Sequence, residues 1–461
     1  MIHQYEGKAT YNGERLYLDK TELIEAGFLP GVRFSTRTDD TLIELSISET
    51  GNNRVSQKQR KDKVIPIIDK AGLDIREALV DCKHIIVTIH SGRVTIKGVK
   101  STADQLKKEL ASNKSDKRTE LTTISFCAGA GVSSSALVAA GFKEVAAVEY
   151  NPKEGAESKF SDIYMKNHSD TIMFNLPMQH LKANDLPPAD VWVATLDCSD
   201  YSKASNGSKK TFGTIHLFMH LMRLYWERDE KDRPLAILLE NVSEFEKVAG
   251  TSLELCLLEE GFNVQMAKLN SLDFGSRTKR ERFFMVATIF EGFTFPEGEG
   301  RATDSIHDSG VLRVEDLKWV TAEDHGTLKY FLERQAKGIT HNHFMTLFDI
   351  TKNSSIGTIT KSHHKIQPEN WIKHAYNSEL YAYLNGEQVK AIHGLDPDFY
   401  AGDSNKLIVE SIGQSVCFKT FKSIALKLRT FLEHKINNCK RIAVSESSTF
   451  NVEATGQLTM F

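Results

Sequence analysis

From Glu120 onward, short apolar runs alternate with longer amphipathic stretches. Leu121–Phe126, Val145–Val148, Val191–Thr195 and Leu235–Leu239 are runs of the kind that strands buried on both faces require. Ser133–Ala140 and Ile215–Trp226 lie between them and carry helical spacing, and Phe262–Leu269 and Arg282–Ala287 add two more strands. Strands alternating with helices predict an α/β fold with a mostly parallel, doubly wound sheet. Ahead of Glu120 the period is two. Val32–Arg37 with Thr41–Ile47, and His84–His90 with Arg93–Lys97 around Ser91-Gly92, read as hairpins of a β-rich domain. Ala103–Arg118 reads as a charged helix and linker. Phe290 to about Ile356 is polar and irregular, and regular patterning resumes near Leu380. Ser445–Phe461 is polar and expected to be disordered.

Composition narrows this picture. A chain of 461 residues exceeds one ordinary core, so two or three domains are expected. The net charge of -3 gives no global signature of a polyanion binder, so any basic surface must be local. The six cysteines are scattered and form no CxxC pair, which argues against a zinc site or a disulfide framework. No signal peptide and no bilayer-spanning apolar run is visible, so a cytoplasmic location and no membrane partner are expected.

Three predicted strand ends carry chemistry. Cys198 follows Val191–Thr195, where open α/β sheets gather ligands. A thiol there is either a nucleophile or a buried structural cysteine. The polar loop behind it, Ser202–Thr214, contains Gly207 and Gly213 and carries Lys203, Lys209 and Lys210. Cys127-Ala-Gly-Ala-Gly-Val132 is a tight turn leading into a helix, with Glu149 ending the next strand about 20 residues on. That pair is either a nucleotide cradle or an ordinary turn with a surface carboxylate. Glu240-Asn-Val242 places a carboxylate at another strand end, as a candidate acid or beside a helix-capping Asn. Arg280 and Arg282, two apart on a strand, share a face that can hold a planar ring or a carboxylate.

The order of these pieces, from about Ser125 to Leu432, resembles the DNA (cytosine-5) methyltransferases. Phe126-Cys-Ala-Gly-Ala-Gly is similar to the family's cofactor loop with a shifted glycine. Glu149 resembles its ribose-binding Glu, Cys198 its nucleophile, Glu240-Asn-Val its ENV, and Arg280-Glu-Arg282 its paired arginines. His393-Gly-Leu-Asp-Pro-Asp-Phe399 and Ile412-Gly-Gln-Ser-Val416 resemble two later boxes. There are departures. The family's Pro-Pro-Cys-Gln reads Leu196-Asp197-Cys198-Ser199, and Thr278, Gln414 and Asn175 replace a Gln, an Asn and an Asp. An Asp next to the thiol tends to raise its pKa.

The resemblance implies a Rossmann-like S-adenosylmethionine-dependent methyltransferase fold with a small target-recognition domain and an N-terminal β-rich domain. It implies S-adenosylmethionine as cofactor and double-stranded DNA as substrate. Cys198, Glu240, Arg280 and Arg282 would be catalytic. Phe126, Gly129, Gly131, Glu149, Asn175, Gln414, Ser415 and Val416 would hold the cofactor, and Ser202, Lys203, Lys209 and Lys210 would meet DNA. No metal is implied. The domains expected are 1–118 accessory, 119–290 catalytic, 291–355 target recognition, 356–440 a return to the catalytic domain, and 441–461 a tail. The alternatives are an RNA (tRNA) cytosine-5 enzyme, a catalytically weak DNA-binding paralogue, and transfer of another group to C5.

Smaller signals remain. The order of strand, short helix, Gly27-Phe-Leu-Pro-Gly31 turn and hairpin resembles the AbrB-type swapped-hairpin fold, and a basic stretch, Arg54–Lys63, follows it. DNA contact, dimerisation and a plain solvated domain are all open for it. His341-Asn-His343 spells a nuclease motif but reads as loop histidines. Gln457-Leu-Thr-Met-Phe461 resembles the pentapeptide that binds the bacterial sliding clamp, with Gln457, Leu458, Met460 and Phe461 as anchors. A bacterial, phage or plasmid origin and association with the nucleoid follow as expectations.

Overall fold

The structure is a computed structural model describing residues 3–11, 13, 15–39, 41–60, 63–80, 82–100, 106–107, 110, 120–155, 158–198, 215–338 and 345–448. Two compact units divide the chain. One comprises Met1–Ser112 with Ala249–Val264 and Ala287–Glu291, and the other holds the rest.

The first unit is built from β1 (His3–Thr10), β2 (Arg15–Leu18), α1 (Glu22–Glu25), β3 (Arg33–Asp39), β4 (Leu42–Ile47), β5 (Asn53–Arg54), β6 (Ser56–Arg60), β7 (Lys63–Ala71), α2 (Leu73–Ala78), β8 (Cys82–His90) and β9 (Arg93–Lys100). Its six-stranded sheet runs β1-β8-β9-β4-β3-β5. That order reads the same from both ends once β1 is matched with β5, β8 with β3 and β9 with β4. The helices match as well, because α1 joins β2 to the β3–β4 hairpin and α2 joins β7 to the β8–β9 hairpin. β2 pairs antiparallel with β7, and β4 pairs antiparallel with β9. A strand–helix–hairpin module is therefore present twice in one chain. The modules also exchange contacts: α2 packs against β3 and β4, and Gly92 N donates to Ala26 O at 2.8 Å. Leu16, Leu18, Phe28, Phe34, Ile43, Leu45, Ile68 and Ile96 are among the apolar side chains that close the core. α6 (Thr251–Glu259) belongs to this unit, packed on β1, β8 and β9, with Lys97 3.4 Å from Glu259.

The second unit holds β10 (Thr122–Phe126), α3 (Val132–Ala139), β11 (Lys143–Val148), α4 (Lys159–Asn167), β12 (Ile172–Phe174), β13 (Val191–Ala194), α5 (Ile215–Glu227), β14 (Ala236–Asn241), and most of β15 (Asn263–Asn270) and β16 (Glu281–Thr288). The sheet order is β12-β11-β10-β13-β14-β16-β15. β10 runs parallel to both β11 and β13, and β13 runs parallel to β14. The chain winds outward in opposite directions from β10. This opens a crevice at the carboxyl ends of β10 and β13, the switch point where such sheets bind ligands. Every residue of β13 and β14 is buried, which explains their uninterrupted apolar runs.

A smaller lobe follows. α7 (Gly326–Ala336) packs with the short strands β17 (Leu347–Phe348), β18 (Trp371–Lys373) and β19 (Tyr381–Tyr383) around Leu328, Met345 and Trp371. Its core draws on residues from Val320 to Tyr383. The lobe thus reaches past the expected limit at 355, because buried Trp371 and its strand partner Tyr383 belong to it. α8 (Gly386–Ile392), α9 (Asn405–Gln414) and α10 (Phe418–Ser448) complete the unit. α10 packs on α3 and runs beyond 441, into the stretch expected to be tail. The Ser202–Thr214 loop, His341–His343 and Gln457–Phe461 lie outside the described residues.

Candidate active site

Five neighbouring strands, β11-β10-β13-β14-β16, deliver the site. After β10 the backbone turns sharply through Cys127, at φ 55°, and Gly129 and Gly131, at φ 57° and 87°. Left-handed conformations at the two glycines are free of strain, which is why small residues occupy this turn. A Cβ on Gly129 would meet nothing within 4 Å, so the turn faces open space. Glu149, just past β11, accepts from Gly129 N at 2.8 Å through its Oε2. Burial raises its pKa to about 7. Backbone N–H groups, an open glycine turn and a nearly buried carboxylate are a donor and acceptor set that fits an adenosyl cofactor carrying a ribose diol.

Next to it, β13 ends and Thr195 ties its end to the turn. Thr195 N donates to Phe126 O at 3.1 Å, and Thr195 Oγ1 donates to Cys127 O at 2.9 Å. Cys198 follows and is partly exposed. Burial and the nearby Glu240 push its thiol up, while Arg282 and Arg280 pull it down. Asp197 is exposed and adds a smaller upward push, acting also on Cys127 and Glu149. Leu196, where the resemblance has proline, is buried.

β14 brings Glu240, whose pKa is raised by burial against the pull of both arginines. Arg282 Nε lies 3.1 Å from Glu240 Oε1, and both side chains are largely buried. Arg280 does a different job. Its Nη1 donates to Ile359 O at 3.3 Å and Gly413 O at 3.1 Å, and burial lowers its pKa to about 9. The two arginines therefore converge on one thiol by separate routes. Asn241 does not cap a helix. It is the last residue of β14, and its Nδ2 donates to Leu196 O at 3.1 Å, which fixes the loop that carries Cys198.

The remaining expected positions divide. Phe126 is buried under the turn, and Asn175 follows β12. Gln414 ends α9 with Ser415 as its cap and Val416 behind it, adjoining the Gly413 carbonyl that Arg280 holds. Ser202, Lys203, Lys209 and Lys210 lie outside the described residues. Ser271 is a residue that pattern reading missed. Its hydroxyl accepts from Arg280 N at 2.7 Å and donates to Thr278 O, bracing the strand start that aims Arg280. A lone serine before Asp273-Phe-Gly gave no sequence signal for this. Among the described residues no three His, Cys, Asp or Glu side chains group as metal ligands would.

A parallel sheet with its switch point at a glycine turn, a carboxylate for a ribose, and a thiol beside a buried carboxylate–arginine pair define a Rossmann-like S-adenosylmethionine-dependent methyltransferase. The C-5 cytosine-specific DNA methylase model matches residues 121–430, and the chain belongs to that family. S-adenosylmethionine is the family's methyl donor. Among curated proteins, the chain is 24% identical over 263 residues to Type II methyltransferase M.MspI of Moraxella sp, covering 54% of this chain and 59% of that one. It is 29% identical over 148 residues to Type II methyltransferase M.HaeII of Haemophilus aegyptius, covering 30% and 42%. The chain thus spans well under two thirds of the length of either relative. Solved structures of similar fold include the Entamoeba histolytica methyltransferase EhMeth, with TM-score 0.52, 16% identity, and coverage of 70% of this chain and 99% of that one. The S. pombe Dnmt2 methyltransferase is alike, with TM-score 0.52, 17% identity, and coverage of 68% and 99%. No helix among the described residues is long and apolar enough to cross a membrane.

Proposed function

We propose that this chain methylates C5 of cytosine in double-stranded DNA, with the target base swung out of the duplex and attacked by Cys198. The observation that supports this most is one cluster at adjacent strand ends: Cys198, the Glu240–Arg282 pair and the glycine turn. The Cys198 thiol, held up by burial and Glu240, gives its proton to solvent with Arg282 and Arg280 favouring the thiolate, and the thiolate adds to C6. The electron pair of the C5–C6 bond moves into the ring. Glu240, pushed toward protonation by burial while Arg282 holds it in place, takes up a proton as the base docks, hydrogen-bonds N3 with it and stabilises that charge. S-adenosylmethionine, when bound, supplies an electrophilic methyl group for C5. The C5 proton then leaves to solvent, the C–S bond breaks, and Cys198 is regenerated.

Lys203, Lys209 and Lys210 meet phosphates in this reading, and the lobe around Trp371 recognises the sequence. For the N-terminal unit we favour DNA contact over dimerisation, because one chain already supplies both strand–helix–hairpin modules. Docking of Gln457, Leu458, Met460 and Phe461 on a sliding clamp rests on sequence alone.

Bisulfite sequencing of DNA from cells expressing the chain, alongside labelled methyl transfer to duplex DNA and to tRNA, tests the reading. Protected cytosines in one short sequence context, lost in Cys198→Ala, are expected. Transfer to tRNA with none to DNA overturns it.

A further inference from the structure

Behind the glycine turn lies a buried polar column that the chemistry at Cys198 does not use. Glu144 on β11 is 6% exposed, and neither of its carboxylate oxygens completes a hydrogen bond. Three hydroxyls face it from three elements: Ser125 on β10, Ser134 on α3 and Tyr164 on α4. Each is buried and close enough to favour the ionised carboxyl, although none completes a hydrogen bond of good geometry. Tyr164 continues the column toward the turn. Its ring lies 4.8 Å from that of His168, centroid to centroid. Together the two rings fill the space beside Gly131, where an added Cβ would meet Tyr164 at 3.0 Å and His168 at 2.9 Å. His168 Nε2 is also 3.1 Å from Gly131 O and 3.1 Å from Ser135 Oγ. Contacts therefore run without a break from Glu144 through Tyr164 and His168 to the turn.

An apolar side chain of similar volume would fill the place of Glu144 without desolvating a carboxyl, so stability alone does not account for it. We propose that Glu144 positions the Gly129–Gly131 turn for S-adenosylmethionine, acting through Tyr164 and His168. Glu144 touches no reacting atom. The inference rests on the family's methyl donor, not on which nucleic acid is methylated.

While protonated, Glu144 can donate to one of the three hydroxyls and accept from the others, which holds Tyr164 against Gly131. Burial raises its pKa to about 7, so the proton is shed within the neutral range. The ionised carboxyl can only accept from the three hydroxyls and stays buried away from water, so it draws in water or displaces Tyr164, and Gly131 loses the wall that fixes its left-handed turn. Tyr164 is the titratable group that faces Glu144, and His168, its pKa lowered by burial, comes next in the column. Glu149, raised to about 7, acts on the turn from the cofactor side, with Cys127 and Asp197 beside it.

The test is calorimetric titration of the full chain with S-adenosylmethionine, without nucleic acid, from about pH 6 to about pH 8.5. Glu144 is expected to make wild-type affinity fall as pH rises, while Glu149, a better acceptor for the ribose diol once ionised, opposes that fall. Glu144→Gln should remove that fall, binding about three- to tenfold tighter than the wild type at the alkaline end and leaving only the rise due to Glu149. Tyr164→Phe should weaken binding by a similar factor at every pH. Glu144→Leu should weaken binding where Glu144→Gln does not. If Glu144→Gln and Tyr164→Phe both reproduce the wild-type affinities and pH profile, the proposal fails. It fails equally if the wild type binds no S-adenosylmethionine. Tight cofactor binding with no methyl transfer to DNA would sink the substrate reading and leave this one standing.

Discussion

The two units bury different kinds of side chain. The N-terminal core is built from apolar side chains, with Phe28, Phe34, Ile43, Leu45, Ile68 and Ile96 nearly inaccessible and no charged side chain buried among those whose side chains are described in residues 3–100. Its charges pair at the surface, as Arg15 with Asp69 and Arg93 with Glu44 do. The catalytic unit instead buries Glu144, Glu149, Glu240, Arg280, His363 and His393. Burial lowers the pKa of His393 to about 3, with Arg280 pushing the same way. Desolvated charge is costly, so its concentration in one unit marks where the chain gives up stability for chemistry.

The largest test of this contrast removes the thiol. Cys198→Ala should reduce methyl transfer by at least ~10³-fold and leave the melting temperature nearly unchanged. Two substitutions that cost stability then separate the units. Phe28→Ala, in the apolar core, should destabilise the N-terminal unit by ~3–5 kcal/mol in denaturant titration, with cofactor affinity per folded molecule unchanged. Arg282→Ala leaves Glu240 buried and uncompensated, so it should cost ~3–5 kcal/mol in the catalytic unit and remove methyl transfer as well. If Phe28→Ala impaired the chemistry of molecules that remain folded, the contrast would break. Asn241→Ala, which frees Leu196 O and the loop carrying Cys198, should cost ~1–3 kcal/mol and slow transfer without weakening cofactor binding.

The smallest effect is a dependence on pH. The Glu144 carboxyl has a folded-state pKa raised to about 7 by burial, above its unfolded value. The native state therefore binds this proton more tightly, and the associated stability is complete below the unfolded pKa and lost as pH rises through about 7. Glu144→Gln cannot ionise. Its melting temperature relative to wild type should rise between about pH 5 and about pH 8, and a constant difference would contradict the burial argument.

The sequence made the catalytic framework legible because strands buried on both faces leave unbroken apolar runs, and functional residues cluster at their ends. Cys198, Glu149, Glu240 and Arg282 could be placed that way. The doubling of the N-terminal module was not legible, because it lies in the pairing of β2 with β7 and β4 with β9 rather than in repeated residues. α7 escaped notice for a different reason. Its apolar stripe is thin, and it is held by Trp371 and Met345 from outside the helix. The bracing by Asn241 and Ser271 runs through single hydrogen bonds to carbonyls distant in sequence, which residue spacing does not record. Glu144 precedes the apolar run Val145–Val148 and carries no signal of its own in the sequence, and only its depth sets it apart.

The most direct measurement incubates the full chain with S-adenosylmethionine and duplex DNA in which target cytosines carry fluorine at C5. Fluorine cannot leave as the C5 proton does, so an enzyme that attacks C6 through Cys198 is trapped on its substrate. The account predicts a protein–DNA adduct stable to denaturation, with the peptide containing Cys198 cross-linked, and no adduct from Cys198→Ala. An active wild type that forms no adduct, or an adduct that persists in Cys198→Ala, would contradict it.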